Sequence, residues 1–306
     1  MKQYILIFSL AVTSIIAQAQ LNIISNKPEL KEYSVNNAEP YDSLNNISVK
    51  SCKGLPGQTL FMCGEKKAGN SYVSTFYTDN FLTVDKPKTY KDDKYSTPAE
   101  AVVGKYFEVE KVYTKPAGIT LRYALLLREK ESGDIVYFQP TIYPRAMICL
   151  GYYEKLKSRY IEKTFLSLGL RVETMDGGIV TPAIGSEYRC KDVGLEMNKD
   201  GVILILENES GEQVKATPVA DEVYEFITTE HRDHIIKKYG QKYGEQIALR
   251  QIALGMTPEM VLAAWGEPYR KSTTQNETKT AESWAFDRNR YVNFENGKVV
   301  YVSSYN

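Results

Sequence analysis

The stretch that decides the fold at the C-terminal end of the chain is Gly255-Met256-Thr257-Pro258-Glu259-Met260-Val261-Leu262-Ala263-Ala264-Trp265-Gly266-Glu267-Pro268. Its residues predict a single helix. The Thr257 hydroxyl can cap the first free backbone N–H groups, and Pro258 suits the first helical position because its fixed φ is already helical. Gly266 ends the helix, and Pro268 prevents it from continuing. The sequence therefore predicts a short, capped helix between Thr257 and Gly266.

A strand and a β-hairpin come after this helix. Trp284-Ala285-Phe286 leads into Tyr291-Val292-Asn293-Phe294-Glu295-Asn296-Gly297-Lys298-Val299-Val300. Asn296-Gly297 readily adopts the left-handed conformations of a type I′ turn, and such a turn fixes the register of the strands on either side. The predicted cross-strand pairs are Glu295 with Lys298, Phe294 with Val299, and Val292 with Tyr301.

This block, about residues 230 to 306, resembles the SmpA/OmlA family of bacterial outer-membrane assembly lipoproteins, also called BamE, which are similar in shape to a β-lactamase inhibitor repeat. The matching residues are Gly255, Met256, Thr257, Val261, Gly266, Pro268, Trp284, Phe286, Tyr291, Phe294, Asn296, Gly297 and Val299. The resemblance implies an α+β module of two helices and a three-stranded antiparallel sheet. It also implies a protein that works through contacts with other proteins.

Both tryptophans are expected in the core of this module. Trp265 ends the apolar face of the capped helix, while Trp284 and Phe286 alternate to one side of their strand. Side chains two residues apart on a strand share a face, so a buried face would cover Trp284 and Phe286 together.

The N-terminal end predicts an exported protein. Met1-Lys2-Gln3-Tyr4 supplies a positive charge, residues 5–16 are mostly apolar, and Ala17-Gln18-Ala19 is a small-x-small cleavage site. The apolar run is shorter than the ~20 residues of a transmembrane helix, and no integral membrane segment is expected elsewhere. The first cysteine is Cys52, far from the cut, so the expected protein is periplasmic or extracellular, with any outer-membrane association lacking a lipid anchor.

Composition is that of a globular protein. Hydrophobic residues make up 43% of the chain and charged residues 25%, and the formal net charge is 0. A chain without a basic surplus is a poor match for nucleic acid, which we exclude as a partner. The length of 306 residues exceeds what one small core supports and predicts two to three domains after removal of residues 1–19.

The four cysteines are disulfide candidates: Cys52, Cys63, Cys149 and Cys190. In an oxidising compartment an even count favours disulfides, and three connectivities are open. We expect Cys52 to pair with Cys63, because Gly54, Pro56 and Gly57 between them let the chain fold back. The alternative is four buried thiols, since cysteine is also a small hydrophobic residue. The spacing does not match the two-to-four-residue zinc knuckle.

The middle of the chain predicts short β units. Strand-like runs occur at residues 59–63, 72–77, 106–112, 121–128, 135–138 and 202–206. Residues 150–168 have the charge spacing of a connector helix, and a strand beginning near Lys163 is equally compatible with the sequence. The predicted organisation is a signal peptide at 1–19, a lead-in with a first β unit at 20–95, tandem β modules at 96–220, and the SmpA/OmlA-like module at 221–306.

A weak internal repeat supports the tandem modules. Thr97-Pro98-Ala99, Gly104, Val112, 125–127 and 131–134 recur as Thr181-Pro182-Ala183, Gly185, Val193, 203–206 and 209–212, at offsets of 84, 81 and 78 residues. Residues 55–59 are a candidate start of a third copy. The size of the elements and the placement of glycine favour small bent-sheet, SH3-like barrels, and chance similarity between two hairpins is the alternative. The fold class predicted is multidomain and mainly β, with a C-terminal α+β module.

Catalytic motifs are missing from the sequence. It contains no Gly-x-Ser-x-Gly elbow, phosphate loop, dinucleotide fingerprint or His-Glu-x-x-His. His231 and His234 are three residues apart and would share one helix face, but no third metal ligand is identifiable, which favours solvated polar residues. We therefore expect no catalytic residue, cofactor or metal. The 23 tyrosines suit both half-buried sheet positions and binding surfaces.

Two hypotheses for function are compatible with these patterns. The first is a secreted binding or scaffold protein of the cell envelope that contacts an envelope protein or a cell-wall glycan or peptide, without catalysis. The second is a cell-wall-directed enzyme or enzyme inhibitor in which the β modules provide targeting. A concave site that joins a cysteine or histidine to a carboxylate would favour the enzyme.

Overall fold

The computed structural model describes residues 29–49, 51–64, 76–91, 97–140, 147–197, 201–219, 222–275 and 280–304. The predicted signal peptide, residues 1–19, lies outside these ranges. The described chain is mainly β, as expected, with four α-helices. No described helix has the length and apolar character needed to cross a membrane.

The strands of the first sheet lie between residues 31 and 149. They are β1 (Lys31–Tyr33), β2 (Thr59–Met62), β3 (Phe76–Tyr77), β4 (Tyr106–Ala117), β5 (Thr120–Glu129), β6 (Ile135–Phe138) and β7 (Met147–Cys149). Their order is β3-β6-β5-β4-β2-β7, and β1 pairs with β4. Because β2 and β3 pair with β4 and β6, this sheet runs across the boundary expected at residue 95. Of residues 55–59, the candidate start of a third copy, only Thr59 lies in a strand, as the first residue of β2.

The second sheet comes after helix α1 (Leu150–Tyr160). Its strands are β8 (Thr164–Ser167), β9 (Val172–Thr174), β10 (Ile179–Val180), β11 (Glu187–Glu196), β12 (Gly201–Glu207), β13 (Gln213–Ala216) and β16 (Phe226–Thr228), in the order β10-β9-β13-β12-β11-β8-β16. A separate hairpin joins β14 (Pro218–Val219) to β15 (Glu222–Val223). The region predicted as either helix or strand contains both, with the change after Tyr160.

The two sheets repeat the same pairing. We call β2, β4–β7 and α1 the first unit, and β8, β11–β13, β16 and α2 (Thr229–Tyr239) the second unit. In each, the five strands are ordered fourth, third, second, first, fifth. Leu60 faces Phe107 in the first unit, and Phe165 faces Tyr188 in the second, at offsets of 105 and 81 residues. The fifth strands and the helices after them repeat at an offset of 79 residues.

Bulges and turns repeat as well. The second strand of each unit carries a bulge, after Val109 in β4 and after Cys190 in β11, again 81 residues apart. Gly104 and Gly185, which precede these strands, have φ of 80° and 81°, and each donates its N–H to the end of the first strand. A bulge bends a strand at a set position. The bulged second strands, and Gly133 and Gly211 after the third strands, thus lie at the offsets of 81 and 78 residues noted in the sequence, whereas the first strands lie 105 residues apart.

One hydrophobic core joins both units. Leu60, Phe107, Phe165 and Leu204 are among its fully buried side chains. Helix α1 packs on β2 and β7 of its own unit and on β11 of the next, and Tyr153 Oη donates to the backbone oxygen of Val193 at 2.7 Å. The helix at the end of the first unit therefore joins that unit to the second.

The C-terminal part has its own core. It contains α3 (Gln241–Ala248), α4 (Pro258–Trp265), β17 (Arg270–Gln275), β18 (Thr280–Ala285), β19 (Arg290–Glu295) and β20 (Lys298–Ser304), with the strands in chain order in one antiparallel sheet. The predicted three-stranded sheet has a fourth strand, β17, whose residues are all exposed and polar and so show no apolar alternation. The predicted module, residues 221–306, contains a third helix, α2, where two helices were expected. It also contains β16, which belongs to the second sheet.

The capped helix and its flanking residues are as predicted. Thr257 Oγ1 accepts the Met260 N–H at 3.3 Å, Pro258 is the first helical residue, and Gly266 has a φ of 77°. Gly255 also has positive φ, and a Cβ there would lie 2.7 Å from Tyr243 Oη. Met256 beside it is fully buried. Pro268 lies outside the helix, which ends at Trp265.

The C-terminal hairpin corrects one predicted pair. Asn296 and Gly297 both have positive φ, as a type I′ turn requires, and Phe294 faces Val299. A bulge after Asn293 then shifts the register, so Val292 faces Val302 rather than Tyr301. The shift places Val302 against the C-terminal core and leaves Tyr301 exposed.

The aromatic residues of this core are partly as predicted. Trp284 and Phe294 are buried, with ring centroids 4.7 Å apart. Trp265 is only half-buried, because its Nε1 donates to the backbone oxygen of Arg250 at 2.7 Å and holds the indole at the edge. Phe286, also half-buried, packs edge-on against it at 5.2 Å.

Candidate functional site

A cleft of about 620 Å³ lies between the second unit and helices α3 and α4. This volume falls within the range of small-ligand and peptide pockets. The cleft is lined by Arg159, Tyr160, Lys163, Phe165, Leu168, Val223, Phe226, Ile227, Thr228, Glu230, His231, Ile235, Ile247, Ala248, Arg250, Ala263 and Ala264. We call this the α2 cleft.

Many of the residues that line the α2 cleft are apolar, although polar atoms make up more than half of its exposed surface. Tyr160 and Phe165 pack with ring centroids 5.7 Å apart, and Phe226 packs edge-on against Tyr188 at 5.4 Å. The α4 residues that face the cleft are alanines, whose small side chains leave the space open. Apolar side chains of this kind bind the apolar part of a ligand.

Basic side chains line part of the same cleft. Arg159 lies over the Tyr160 ring at 5.1 Å, and the Arg250 guanidinium lies 5.5 Å from the Tyr224 ring centroid and donates to the Tyr224 carbonyl. Lys163 forms an ion pair with Glu230. Three cationic side chains thus line the cleft against one carboxylate, before His231 is counted. This balance favours a ligand that carries negative charge.

The open edge of the second sheet also lies in the cleft. Strand β16 is the last strand in the order, and its pairing with β8 includes Leu168 N–H to Glu225 C=O at 3.0 Å. In an antiparallel pair, hydrogen-bonded positions alternate, so Ile227 pairs with Leu166 and the residues on either side point outward. The backbone C=O of Phe226 and N–H of Thr228 therefore face away from β8.

Glu225 directly precedes β16 in the chain, and one of its carboxylate oxygens is buried. Its Oε2 has no hydrogen-bond partner among the described residues. Burial raises the pKa of this carboxyl, which hydrogen bonding to its own backbone and the charge of Arg250 lower in part. Glu225 is therefore a carboxyl beside Arg250 whose ionisation burial disfavours.

All four cysteines, each of them described, are buried thiols rather than disulfides. The expected Cys52–Cys63 bridge is not formed. Cys52 lies in a short 3-10 turn, where its Sγ donates to the Ser48 carbonyl at 2.9 Å, and Cys63 comes directly after β2. Burial raises the pKa of Cys52 and Cys190 to about 12 and that of Cys63 to about 11. The pKa of Cys149 is raised by burial as well.

These thiols do not contribute to the cleft lining. A thiol whose pKa is raised stays protonated at neutral pH, and the thiolate is the form that attacks. No cysteine lines this cleft beside a carboxylate, but His231 and Glu230 both line it, and Glu230 is ion-paired with Lys163.

The two histidines lie on α2. His231 lines the α2 cleft, while His234 is exposed on the same helix and is not part of the lining. The described residues contain no group of three side chains placed to hold a metal ion. The motif residues do not line this cleft: Met256, Trp265, Trp284, Phe286 and Phe294 belong to the C-terminal core, and Thr257 and Asn296-Gly297 form the helix cap and the hairpin turn.

Sequence reasoning misses the basic cleft residues and the α4 alanines. Arg159 and Lys163 show only helical charge spacing in the sequence, and Arg250 stands in a left-handed conformation with a φ of 54° that no motif marks. The cleft lies at the fifth strand of the second unit. Aligning the two units strand by strand would therefore identify its position.

Comparison with known proteins yields no relative: no family model, no curated protein and no solved structure matches this chain.

Proposed function

We propose that this protein is an exported binding or scaffold protein of the bacterial cell envelope that acts through contacts and carries out no catalysis. The partner is an envelope protein or a cell-wall glycan or peptide. Export rests on the N-terminal pattern of charge, apolar run and small-x-small site. The proposed location is the periplasm or the extracellular side, without a lipid anchor.

The observation that carries the proposal is the α2 cleft. It combines apolar side chains, basic side chains and an open strand edge within one cavity. These features bind an extended or amphiphilic ligand by apolar burial, charge and main-chain hydrogen bonds. No cysteine lines the cleft, and Glu230, the carboxylate that lines it together with His231, is ion-paired with Lys163.

The architecture supports an assembly of binding modules. We propose that both units are SH3-like, because their fifth strand pairs with the first and the second, third and fourth form a meander. We further propose that the C-terminal part is an SmpA/OmlA-like module with one added strand. Its motif residues cap the helix, form the turn and fill the core as that resemblance implies. Fold alone does not assign a function, so the cleft remains the basis of the proposal.

Two measurements on purified protein lacking residues 1–19 test this function. The first is retention of envelope proteins or cell-wall fragments on the immobilised protein. The second is release of soluble fragments from isolated cell wall. We expect specific retention without turnover. Hydrolysis that a single substitution abolishes would overturn the proposal, as would the failure of every envelope fraction to bind.

A further inference from the structure

The surface that forms the α2 cleft has an equivalent in the first unit. At the offsets of the strand pairs, Phe165 corresponds to Leu60 and Phe226 to Met147. Thr228, which precedes α2, corresponds to Cys149, which precedes α1. In the first unit another segment of the chain covers this surface, and Leu60, Met147 and Cys149 are all fully buried. In the second unit Phe165 and Phe226 are buried as well, and Thr228 is the partly exposed member of the three.

The segment that covers this surface in the first unit is the N-terminal lead-in, residues 39–49. The Asn46 carboxamide makes two hydrogen bonds to the edge of β7. Its Nδ2 donates to the Met147 C=O, and its Oδ1 accepts the Cys149 N–H, each at 3.0 Å. Ile47 next to it is buried in the shared core. One carboxamide thus satisfies the two outward-facing backbone groups of the edge strand.

Tyr41 completes this closure. Its hydroxyl donates to Cys149 Sγ at 3.0 Å, and its ring lies so close to Gly151 that a Cβ there would be 2.7 Å from Tyr41 Cε1. In the second unit the residue 79 places after Gly151 is Glu230, whose side chain pairs with Lys163. The second unit thus has the charged pair of Glu230 and Lys163 where Tyr41 packs against Gly151 in the first unit. The outward-facing backbone groups of the fifth strand are present in both units.

The retained edge is the C=O of Phe226 and the N–H of Thr228. They correspond to the C=O of Met147 and the N–H of Cys149, and the same alternation of hydrogen bonds turns them outward. Beside them the second unit has an open cavity lined by basic residues, where the first has the lead-in.

From this equivalence we propose that the α2 cleft binds an extended peptide segment of a partner protein. A carboxamide side chain of that peptide spans Phe226 C=O and Thr228 N–H, and a carboxylate of the peptide faces Arg159, Lys163 and Arg250. This deepens and rests on the proposed binding function. The mode is the pairing of a peptide with a sheet edge, with the apolar lining holding one neighbouring side chain.

Charge supports an acidic peptide. Arg159, Lys163 and Arg250 all line the cavity, and Glu230, the one carboxylate in its lining, is paired with Lys163, so the lining keeps a positive surplus. The lead-in that covers the equivalent surface is itself acidic, with Glu39 and Asp42. An acidic peptide would be attracted to the cleft with a strength that falls as salt rises.

The probe is a fluorescently labelled peptide with the sequence of residues 38–48, Ala-Glu-Pro-Tyr-Asp-Ser-Leu-Asn-Asn-Ile-Ser, added to the full mature protein. The chain's own lead-in keeps the first unit occupied, because a tethered segment competes at a high effective concentration. We expect a dissociation constant below about 1 mM. Backbone amide shifts should centre on Phe226 and Thr228.

Matched variants separate the contributions of the peptide carboxamide, the basic residues and the cavity to peptide binding. The peptide with Asn46→Ala should bind about tenfold more weakly, since it loses both carboxamide hydrogen bonds. Arg250→Gln in the protein should weaken binding about threefold, while Lys242→Gln, at an exposed lysine outside the lining, should leave it unchanged. Ala263→Trp should fill the cavity and abolish binding, whereas Glu245→Trp on the exposed side of α3 should not.

Three results would overturn the proposal. They are no binding up to about 1 mM, equal affinity for the Asn46→Ala peptide, or amide shifts at β7 instead of β16. Failure of the broader function is distinguishable. If Ala263→Trp retains the same envelope partners as the unaltered protein, the binding function stands and the peptide site is wrong.

Discussion

The first and second units have the same strand order and bulge positions, yet they differ at the edge of the fifth strand. In the first, Asn46 binds both outward backbone groups, and Ile47 joins the core beside it. In the second, the equivalent edge opens into a cavity lined by basic residues. The comparison shows that the same strand order occurs with the edge of the fifth strand covered by another segment of the chain in one unit and bordering a cavity in the other.

The largest expected effect tests whether the units are also energetically one body. Phe165→Ala removes a fully buried side chain and should cost about 3 to 5 kcal/mol, comparable to the about 2 to 5 kcal/mol of Leu60→Ala at the equivalent position. Because both residues belong to one core, hydrogen exchange should show lower stability in both sheets. Val292→Ala in the C-terminal core is the control. Unchanged protection of the first sheet in Phe165→Ala would show that the cores are separate.

A second prediction uses the hairpin turns between the third and fourth strands. Glu129, whose side chain is 1% exposed, accepts the N–H groups of Glu131 and Ser132, whereas Asn208 accepts those of Ser210 and Glu212 in the second unit. Glu129→Ala should cost about 2 to 4 kcal/mol because it leaves two donors unsatisfied. Asn208→Ala, at a less buried site, should cost about 1 to 2 kcal/mol by denaturant unfolding.

Acid should act on the first of these turns only. Burial opposes ionisation of Glu129, but hydrogen bonds from Ser132 and the backbone and the charge of Lys105 outweigh it and lower its pKa to about 2. Its contribution is therefore complete above the ordinary glutamate pKa of about 4.3 and is lost as pH falls toward 2. Glu129→Gln should reduce the loss of stability in this window. An identical acid profile in Glu129→Gln would contradict the assignment.

A third and smaller effect concerns the hydrogen bonds between Asn46 and the edge of β7. Asn46→Ala should cost about 1 to 2 kcal/mol, since it removes two hydrogen bonds to the edge of β7. Asn45→Ala is the matched control, because Asn45 is exposed and its side chain donates to Asp42 three residues away, and it should stay within about 0.5 kcal/mol. Equal thermal stability of the two variants would mean that the lead-in does not seal the first unit.

The smallest effect tests the equivalence of the positions before the first strands. Gly57 and Glu162 both have positive φ, 83° and 69°. Glu162→Gly should stabilise the protein by about 0.5 to 1 kcal/mol, the relief of left-handed strain less a surface ion pair with Arg189. Gly57→Ala should destabilise by a similar amount, since its Cβ would also approach Val35 at 3.2 Å. Effects of the same sign from both changes would count against the equivalence.

Local sequence signals predicted much of the fold. The capped helix from Pro258, the Asn296-Gly297 turn and the repeat offsets of 81 and 78 residues all depend on neighbouring residues, which is why one sequence could reveal them. Strand β17 was missed because its polar residues carry no alternation. The bulge after Asn293 was missed because either register keeps a hydrophobic residue opposite Val292.

The α2 cleft depends on contacts that no local pattern encodes. Its lining combines α1, β8, β16 and α2 with α3 and α4, and Arg250 is far in sequence from Arg159 and Lys163. The disulfide prediction was wrong for a related reason. Spacing alone cannot show that Cys52 and Cys63 each occupy a buried position as a thiol.

Hydrogen exchange of two backbone amides tests the central claim most directly. Cys149 N–H is bound to Asn46 at the sealed edge, and Thr228 N–H is its equivalent at the open edge. In the protein without peptide, we predict that the Cys149 amide is protected as strongly as the sheet interior and that the Thr228 amide exchanges about 100-fold faster or more. Equal protection of the two amides would contradict the account.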